Sequence, residues 1–270
     1  GDEAVEELRR ILEHHPEFSA AHLELGGRYE RRGDLDLAIE EYQASLDLDP
    51  FDADLQTRLG LAYLKRGDHS LAVQALERAL ERRPSPDPYA RLGEVMVAMG
   101  RWDPAIASFR RALDMDANCA RAHAGLGTVL LRRGNFDAAL EALQQAMEIA
   151  PEWAQPRAEA GLLYMQRGEW ESAADALEEA AALEPREAGH LSKLGLVHYR
   201  QGRHARAIEV LRKAVGLDPY LAEAHSHLGI VYAGANRLDE AIEEYQKAIQ
   251  LNPSDPRNHY NLGVAWSRRG

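Results

Sequence analysis

Histidine, cysteine and the carboxylates are the side chains of this sequence that could carry chemistry. The chain has 11 histidines, but His22, His123, His225 and His259 share one position of a repeated pattern, a bulky position expected to pack between two helices. Cys119 is the single cysteine, which excludes an internal disulfide and a cysteine-rich zinc site. No carboxylate pair is isolated among apolar residues, as acid–base chemistry requires, and no glycine-rich phosphate loop is present. We therefore predict no catalytic, cofactor-binding or metal-binding residues.

The repeated pattern that positions these residues is a Leu-Gly or Ala-Gly pair. One interval between its glycines is 33 residues and the others are 34 residues. A fixed period of this size predicts a solenoid, in which each unit buries its apolar face against the next unit. The glycines of the pairs are Gly26, Gly60, Gly93, Gly127, Gly161, Gly195, Gly229 and Gly263.

The residues around each pair predict two helices joined by a short turn. In residues 19–52, a helical pattern runs from Ala20 to Arg32, and Gly33 is expected to end this helix in a left-handed conformation. We predict that Asp36 caps the second helix, which ends near Pro50. Small residues such as Gly26, Ala38 and Ser45 are expected where the helices touch. The other predicted turn residues are Gly67, Gly100, Gly134, Gly168, Gly202 and Asn236, and the other predicted caps are Ser70, Asp103, Asp137 and Asp239, with Glu171 and Ala205 as poorer caps.

The complete pattern resembles the tetratricopeptide repeat family. Residues 222–255 match it through Leu228, Gly229, Tyr232, Ala241, Tyr245, Ala248 and Pro253. The resemblance implies an all-α, right-handed superhelical solenoid of antiparallel helix pairs, with a concave wall made by the first helices. It also implies binding of peptides or helices of partner proteins, without catalysis. The predicted single solenoid, residues 1–270, consists of the half repeat 1–18, the whole repeats 19–52, 53–85, 86–119, 120–153, 154–187, 188–221 and 222–255, and the half repeat 256–270.

The resemblance places groove residues one and four positions after each repeated glycine, and many of them are apolar here. This composition favours a partner with an apolar face, such as a helix or an extended peptide. The alternative is that these side chains pack between neighbouring first helices. The apolar candidates for the partner-binding groove are Leu61, Leu64, Val97, Leu131, Leu162, Met165, Leu196, Tyr199, Ile230 and Val264.

The chain is acidic, and its charged residues are unevenly distributed. The net charge is −12, which argues against nucleic acid as a partner, because phosphate binding needs a basic surface. Residues 188–221 are the exception, since six Lys and Arg residues against two Asp and Glu residues give +4. Within this repeat Lys193 and Arg200 are expected to face the groove. They predict either a docking site for an acidic segment or a solvated face that balances its acidic neighbours.

Two further interpretations concern the chain as a whole. Both ends are half repeats, and we expect Leu8, Ile11, Tyr260, Leu262 and Trp266 to be exposed there, which suggests self-assembly end to end or a stretch cut from a longer array. The chain could also be an arm of a longer enzyme such as a glycosyltransferase.

No apolar run approaches membrane-spanning length, so no membrane insertion is expected. No signal peptide is visible, although the N-terminus looks cut. The compartment stays open, with the cytoplasm favoured.

Overall fold

The computed structural model describes residues 2–270, and that part of the chain is helical with short turns between the helices. Gly1, the first residue of the predicted half repeat 1–18, lies outside it. The described helices are α1 (Asp2–His14), α2 (Ser19–Arg32), α3 (Leu35–Leu48), α4 (Ala53–Arg66), α5 (His69–Arg82), α6 (Pro86–Ala98), α7 (Trp102–Met115), α8 (Ala120–Arg132), α9 (Phe136–Ile149), α10 (Ala154–Arg167), α11 (Trp170–Leu183), α12 (Ala188–Arg200), α13 (His204–Leu217), α14 (Ala222–Gly234), α15 (Leu238–Leu251) and α16 (Pro256–Arg269).

Within each of the two units described below, consecutive helices pack as antiparallel pairs. Ser19, at the start of α2, has its Oγ 2.8 Å from the Oγ of Ser45 near the end of α3, and Gly26 in the middle of α2 contacts Tyr42. The predicted all-α fold of antiparallel helix pairs is confirmed. We call the even-numbered helices first helices and the odd-numbered ones second helices.

The chain divides into two compact units. Unit 1 ends at Arg133 and contains α1–α8, whereas unit 2 starts at Gly134 and contains α9–α16. In each unit every helix packs against its neighbours in sequence, and some successive first helices also touch, as α6 and α8 do in unit 1 and α12 and α14 do in unit 2.

The core lies between the helices of each pair, where small and large side chains meet. Ala38 and Ser45 are fully buried, as expected for positions where two backbones approach closely. A Cβ on Gly60 would come within 2.8 Å of Leu76, so a larger residue there would force the helices apart. The largest fully buried side chains are Tyr42, Phe109, Leu25, Leu55, Leu76, Leu143, Leu163, Leu177, Leu211, Val95, Val129 and Val197.

The predicted turn residues adopt the left-handed conformation. Gly33, Gly67, Gly100, Gly134, Gly168 and Gly202 have φ between 70° and 91°. Asn236 replaces glycine at the same place of the last whole repeat, and its φ is 59°. Asparagine tolerates this region better than most residues, so the prediction of the turns is confirmed at each of these positions.

The predicted caps of the second helices are wrong. Helix α3 begins at Leu35, so Asp36 lies inside its first turn, and Asp34, at the cap position, makes no side-chain capping bond. Asp36 instead pairs with Arg66 at 2.8 Å, across to the end of the next first helix. The same pairing recurs for Asp103 with Arg133 (2.6 Å), Asp137 with Arg167 (3.0 Å), Glu171 with Arg203 (3.2 Å) and Asp239 with Arg269 (2.8 Å).

Candidate functional site

The apolar groove residues predicted from the sequence form two rows on the first helices, and most members of both rows are half-buried. The first row follows each repeated glycine by one position and contains Leu61, Leu162, Leu196, Ile230 and Val264. The second row follows it by four positions and contains Leu64, Val97, Leu131, Met165 and Tyr199.

The second row contributes mostly to the core. Leu64 and Val97 are half-buried and pack against the core of unit 1, and Met165 and Tyr199 do so in unit 2. Leu131 is only 3% exposed. These side chains therefore offer less surface to a partner than their positions suggest.

The first row is uninterrupted in unit 2, and one of its members, Ile230, also packs against the core of that unit. Leu162, Leu196 and Ile230 are half-buried, and Val264 is 38% exposed. They lie on successive first helices, of which α12 packs against α14 and α14 against α16. In unit 1 the equivalent residues are Gly27, Leu61, Glu94 and Thr128, so Leu61 is the only apolar side chain of the row there. The apolar row is thus a feature of unit 2.

Charged groups on the first helices of unit 1 neutralise one another. Arg91 pairs with Asp87 at 2.9 Å, and Arg121 pairs with Glu94 at 2.8 Å. Few unpaired charges are left on this surface for a ligand.

Lys193 and Arg200, the two cations predicted for the groove of unit 2, differ from these pairs. The Nζ of Lys193 donates to the carbonyl oxygen of Gly189 at 3.4 Å, and the guanidinium of Arg200 lies 5.7 Å from the ring centroid of Trp170. Neither has a carboxylate within ion-pair distance in residues 2–270. Both charges are therefore available to an acidic group.

A polar cavity between α14 and α16 was not expected from the sequence. It has a volume of about 230 Å³, and Glu223, Ser226, His227, Ile230 and Asn258 contribute to its lining. Asn258 is 2% exposed, and its Oδ1 accepts a hydrogen bond from the Oγ of Ser226 at 2.6 Å. The sequence feature that could have indicated this cavity is Asn258 itself, because the equivalent residues of the repeats from 19 to 187 are apolar. These residues are Ala21, Leu55, Pro88, Ala122 and Pro156.

The imidazole of His227 closes one side of this cavity. Its Nδ1 lies 2.9 Å from the Oγ of Ser192 on α12. Burial lowers the pKa of His227, so the ring is neutral near pH 7.

The four histidines at the shared repeat position make one recurring structural contact. Each Nε2 donates to a carbonyl oxygen six residues earlier, in the turn before its helix. The acceptors are Pro16 for His22 (3.0 Å), Ala117 for His123 (2.9 Å), Pro219 for His225 (2.9 Å) and Pro253 for His259 (3.1 Å). Their positions therefore follow from packing between repeats, and residues 2–270 hold no cluster of three potential metal ligands.

Cys119 is half-buried at the start of α8. Burial raises the pKa of its thiol, which keeps it protonated. It therefore lacks the thiolate character of a nucleophilic cysteine.

The residues expected to be exposed at the two ends behave differently. Tyr260 and Trp266 are 73% and 49% exposed, whereas Leu8 and Ile11 are half-buried. Leu262 is only 7% exposed, so its expected exposure is wrong. It packs in a cluster with Leu228 and Tyr245, on the face of α16 that meets the preceding repeat. End-to-end contact through these residues stays a prediction. No helix in residues 2–270 combines the length and apolar character that crossing a bilayer requires.

Family models together match residues 1–268. Two models described as tetratricopeptide repeat match residues 1–53 and 53–86. A third, described as the Cilia and flagella-associated protein 70 C-terminal domain, matches residues 85–268, which is more than half of the chain. No curated protein sequence matches this chain.

Solved structures show the same fold at low sequence identity. A chain of the APC/C hetero-tetramer Cut9–Hcn1 superposes with a TM-score of 0.78 at 18% identity, covering 97% of this chain and 52% of that one. Yeast Tom70 has a TM-score of 0.70 at 18% identity, covering 99% and 58%. This chain thus spans little more than half the length of either protein. YrrB, described as a tetratricopeptide repeat protein with an unusual peptide-binding site, has a TM-score of 0.53 at 21% identity, covering 70% and 97%.

These findings agree with the helix pairs, the turn residues and the small contact residues described above. The models and the shared fold are typical of scaffolds for protein–protein interaction. The chain belongs to the tetratricopeptide repeat family.

Proposed function

We propose that this protein is a non-enzymatic scaffold that binds a segment of a partner protein along the first helices of unit 2. The observation that carries the proposal is the uninterrupted first row on α10, α12, α14 and α16. Apolar side chains that recur along one accessible face favour a partner with an apolar face, such as an amphipathic helix or an extended peptide.

The charges beside the row narrow the chemistry of the partner. Lys193 lies one turn before Leu196, and Arg200 lies one turn after it, both without a carboxylate partner in the described chain. An acidic residue of the bound segment would complement both. Complementary charges of this kind mainly raise the association rate, and salt screens them.

The comparisons support binding of a protein segment as the general role. The family is typical of interaction scaffolds, and YrrB, which has the same fold, is described as having a peptide-binding site. At 21% identity that site does not transfer residue by residue, so the proposal depends on the row itself.

The first experiment replaces two residues of the first row. We expect the double variant Leu162→Glu with Leu196→Glu to lose the partners that wild type retains in a pull-down analysed by mass spectrometry, because two carboxylates would enter the apolar contact. Both leucines are half-buried, so helicity and the unfolding midpoint should stay close to wild type. Leu131 is unsuitable for such a test, because its burial would make a charge there destabilising.

The matched control carries the same change on second helices. Leu48 and Leu217, at the ends of α3 and α13, are 44% and 39% exposed. Leu48→Glu with Leu217→Glu should retain every partner. If partner binding survives in the first-row variant, or is lost equally in the control, the first row is not the site.

A second candidate function is self-association, which the surface of α16 favours. Tyr260 and Trp266 are exposed there, and α16 carries three arginines and no carboxylate. Helix α1 has the opposite character, with five carboxylates and two arginines. We propose a contact between α16 of one copy and α1 of another as the form that this association takes.

A further inference from the structure

The buried amide of Asn258 is unusual for its repeat position. The equivalent residues are all buried, and His190 is the one polar residue among them: Ala21, Leu55, Pro88, Ala122, Pro156, His190 and Ala224. Replacing alanine by asparagine at a buried place costs stability unless the amide forms its hydrogen bonds. Departures from a local pattern that cost stability are expected at functional sites.

Only the oxygen of the Asn258 amide forms a hydrogen bond inside the protein. Its Oδ1 accepts from Ser226, whereas its Nδ2 has no partner among residues 2–270. The side chain borders the cavity between α14 and α16. The Nδ2 group of this buried residue is therefore available as a donor to a group that enters the cavity.

The other polar groups of the cavity restrict what can enter it. Glu223 offers a carboxylate, which accepts hydrogen bonds, and its Oε1 is 3.9 Å from the Nε2 of His227. Asp255 is already occupied, because it accepts from the backbone N–H of Arg257 at 3.0 Å and pairs with the Arg257 guanidinium. The other polar lining residues, Asn252, Arg257 and Asn261, are exposed or half-buried, so Asn258 is the buried donor of the cavity and Glu223 is one of its acceptors.

We infer that this cavity binds one amide group of the partner segment, with the carbonyl oxygen on Asn258 and the N–H on Glu223. This inference rests on the proposed function. An amide carries an acceptor and a donor on two separate atoms, whereas a hydroxyl carries both on one oxygen. A lysine or arginine has donors only and would leave the Asn258 N–H unmatched, and a carboxylate would be repelled by Glu223.

The size and place of the cavity agree with this occupant. Whole small-molecule ligands usually need about 300–1,000 Å³, so about 230 Å³ suits a single side chain or peptide group. Ile230, a member of the first row, also lines the cavity. A segment that lies along the first row therefore reaches the cavity with a neighbouring residue.

The test begins with peptides selected on the wild-type protein from a displayed library of random 12-residue sequences. The affinity of synthetic copies is measured by fluorescence anisotropy on wild type, Asn258→Ala and the control Asn118→Ala, an exposed asparagine in unit 1. We expect Asn258→Ala to weaken binding about tenfold and Asn118→Ala to leave it unchanged. A fixed Asn or Gln in the peptides identifies a side-chain amide, whereas loss of binding on N-methylation of one peptide bond identifies a main-chain amide.

Stability of the free protein separates this role from a structural one. Alanine is the common residue at this repeat position, so Asn258→Ala should keep or raise the unfolding midpoint. A lower midpoint with unchanged peptide affinity would show that Asn258 only bridges to Ser226 and would overturn the inference. Peptides with a fixed lysine or arginine, sensitive to Glu223→Gln and not to Asn258→Ala, would also overturn it.

Failure of the inference differs from failure of the proposed function. Peptides that respond to Leu162→Glu with Leu196→Glu but not to Asn258→Ala would leave the first row as the binding site and remove the amide subsite. Peptides that bind wild type and the first-row variant equally, or no enrichment at all, would remove both.

Discussion

Single small residues decide how closely the two helices of a repeat approach each other. A Cβ on Gly229 of α14 would lie 2.7 Å from the ring of Tyr245, which is itself only 2% exposed. Gly263 is the same residue of the next repeat, yet nothing would lie within 4 Å of its Cβ. Equal residue types at equal repeat positions therefore face different surroundings, and only Gly229 is required by packing.

This contrast predicts opposite effects of one substitution. Gly229→Ala should lower the free energy of unfolding by about 1–3 kcal/mol, because the rigid ring of Tyr245 must move. Gly263→Ala should be neutral or raise it by up to about 1 kcal/mol, because alanine favours the helix over glycine. Urea unfolding followed by circular dichroism measures both, and equal losses would contradict the argument.

At the scale of helices, polar contacts that recur in several repeats join neighbouring helices. Arginine or glutamine on a second helix donates to the tyrosine hydroxyl of the next first helix, as Arg9 does to Tyr29 at 2.9 Å and Arg212 to Tyr232 at 3.0 Å. Within pairs, His22 lies 2.6 Å from Glu41, and His225 lies 2.6 Å from Glu244. The second contact is buried and joins α14 to α15.

The buried pair has a defined charge state. The hydrogen bond to Glu244 raises the pKa of His225 above its ordinary 6.5, outweighing burial, which would lower it. Burial alone would raise the pKa of Glu244, but hydrogen bonds from His225 and Lys247 outweigh it and hold that pKa below 4.5. The pair is thus stabilised in its charged form.

This charge state predicts a pH-dependent stability. The contribution of His225 is complete below pH 6.5 and is lost as the pH rises through its raised pKa, and that of Glu244 is complete above pH 4.5 and is lost as the pH falls through its lowered pKa. Glu244→Gln should therefore cost more free energy of unfolding at about pH 5.5 than at about pH 8. Glu243→Gln, an exposed neighbour with the same charge change, is the control. An equal cost of Glu244→Gln at both pH values would contradict the prediction.

At the scale of the whole molecule, the two units differ in the surfaces of their first helices. The charges on the first helices of unit 1 are paired with one another, as in Arg121 with Glu94. Unit 2 carries the uninterrupted first row, the unpaired Lys193 and Arg200, and the polar cavity of Asn258. Recognition of a partner is therefore expected to depend mainly on unit 2, although both units are built from the same repeat.

The proposed self-association also belongs to this scale. We expect the mass measured by light scattering to rise with protein concentration, and Trp266→Asp to prevent the rise, because it removes an exposed aromatic contact from α16. Tyr220→Asp is the matched control, since Tyr220 is 81% exposed in the turn before α14. A monomer mass at every concentration would reject self-association and leave the groove proposal intact.

The period, the helix pairs and the turns could be predicted from the sequence because they depend on local chemistry. A left-handed turn selects glycine, or asparagine at Asn236, from the backbone conformation of one residue. A close helix contact selects small residues such as Ala38 within a single repeat. The same requirements recur in each repeat, so one motif predicts the helix pairs and turns throughout the described chain.

Only the tertiary structure decided which side chains are exposed and which polar groups are paired. Asp36 was expected to cap its own helix but pairs with Arg66, 30 residues away. Leu131 and Leu262 are buried, Leu262 against residues of the preceding repeat, and the bond between Ser226 and Asn258 joins residues 32 apart. Which charges are neutralised, which leucines are covered and which amide lacks a partner depend on contacts between helices, and these contacts exist only once successive repeats have packed together.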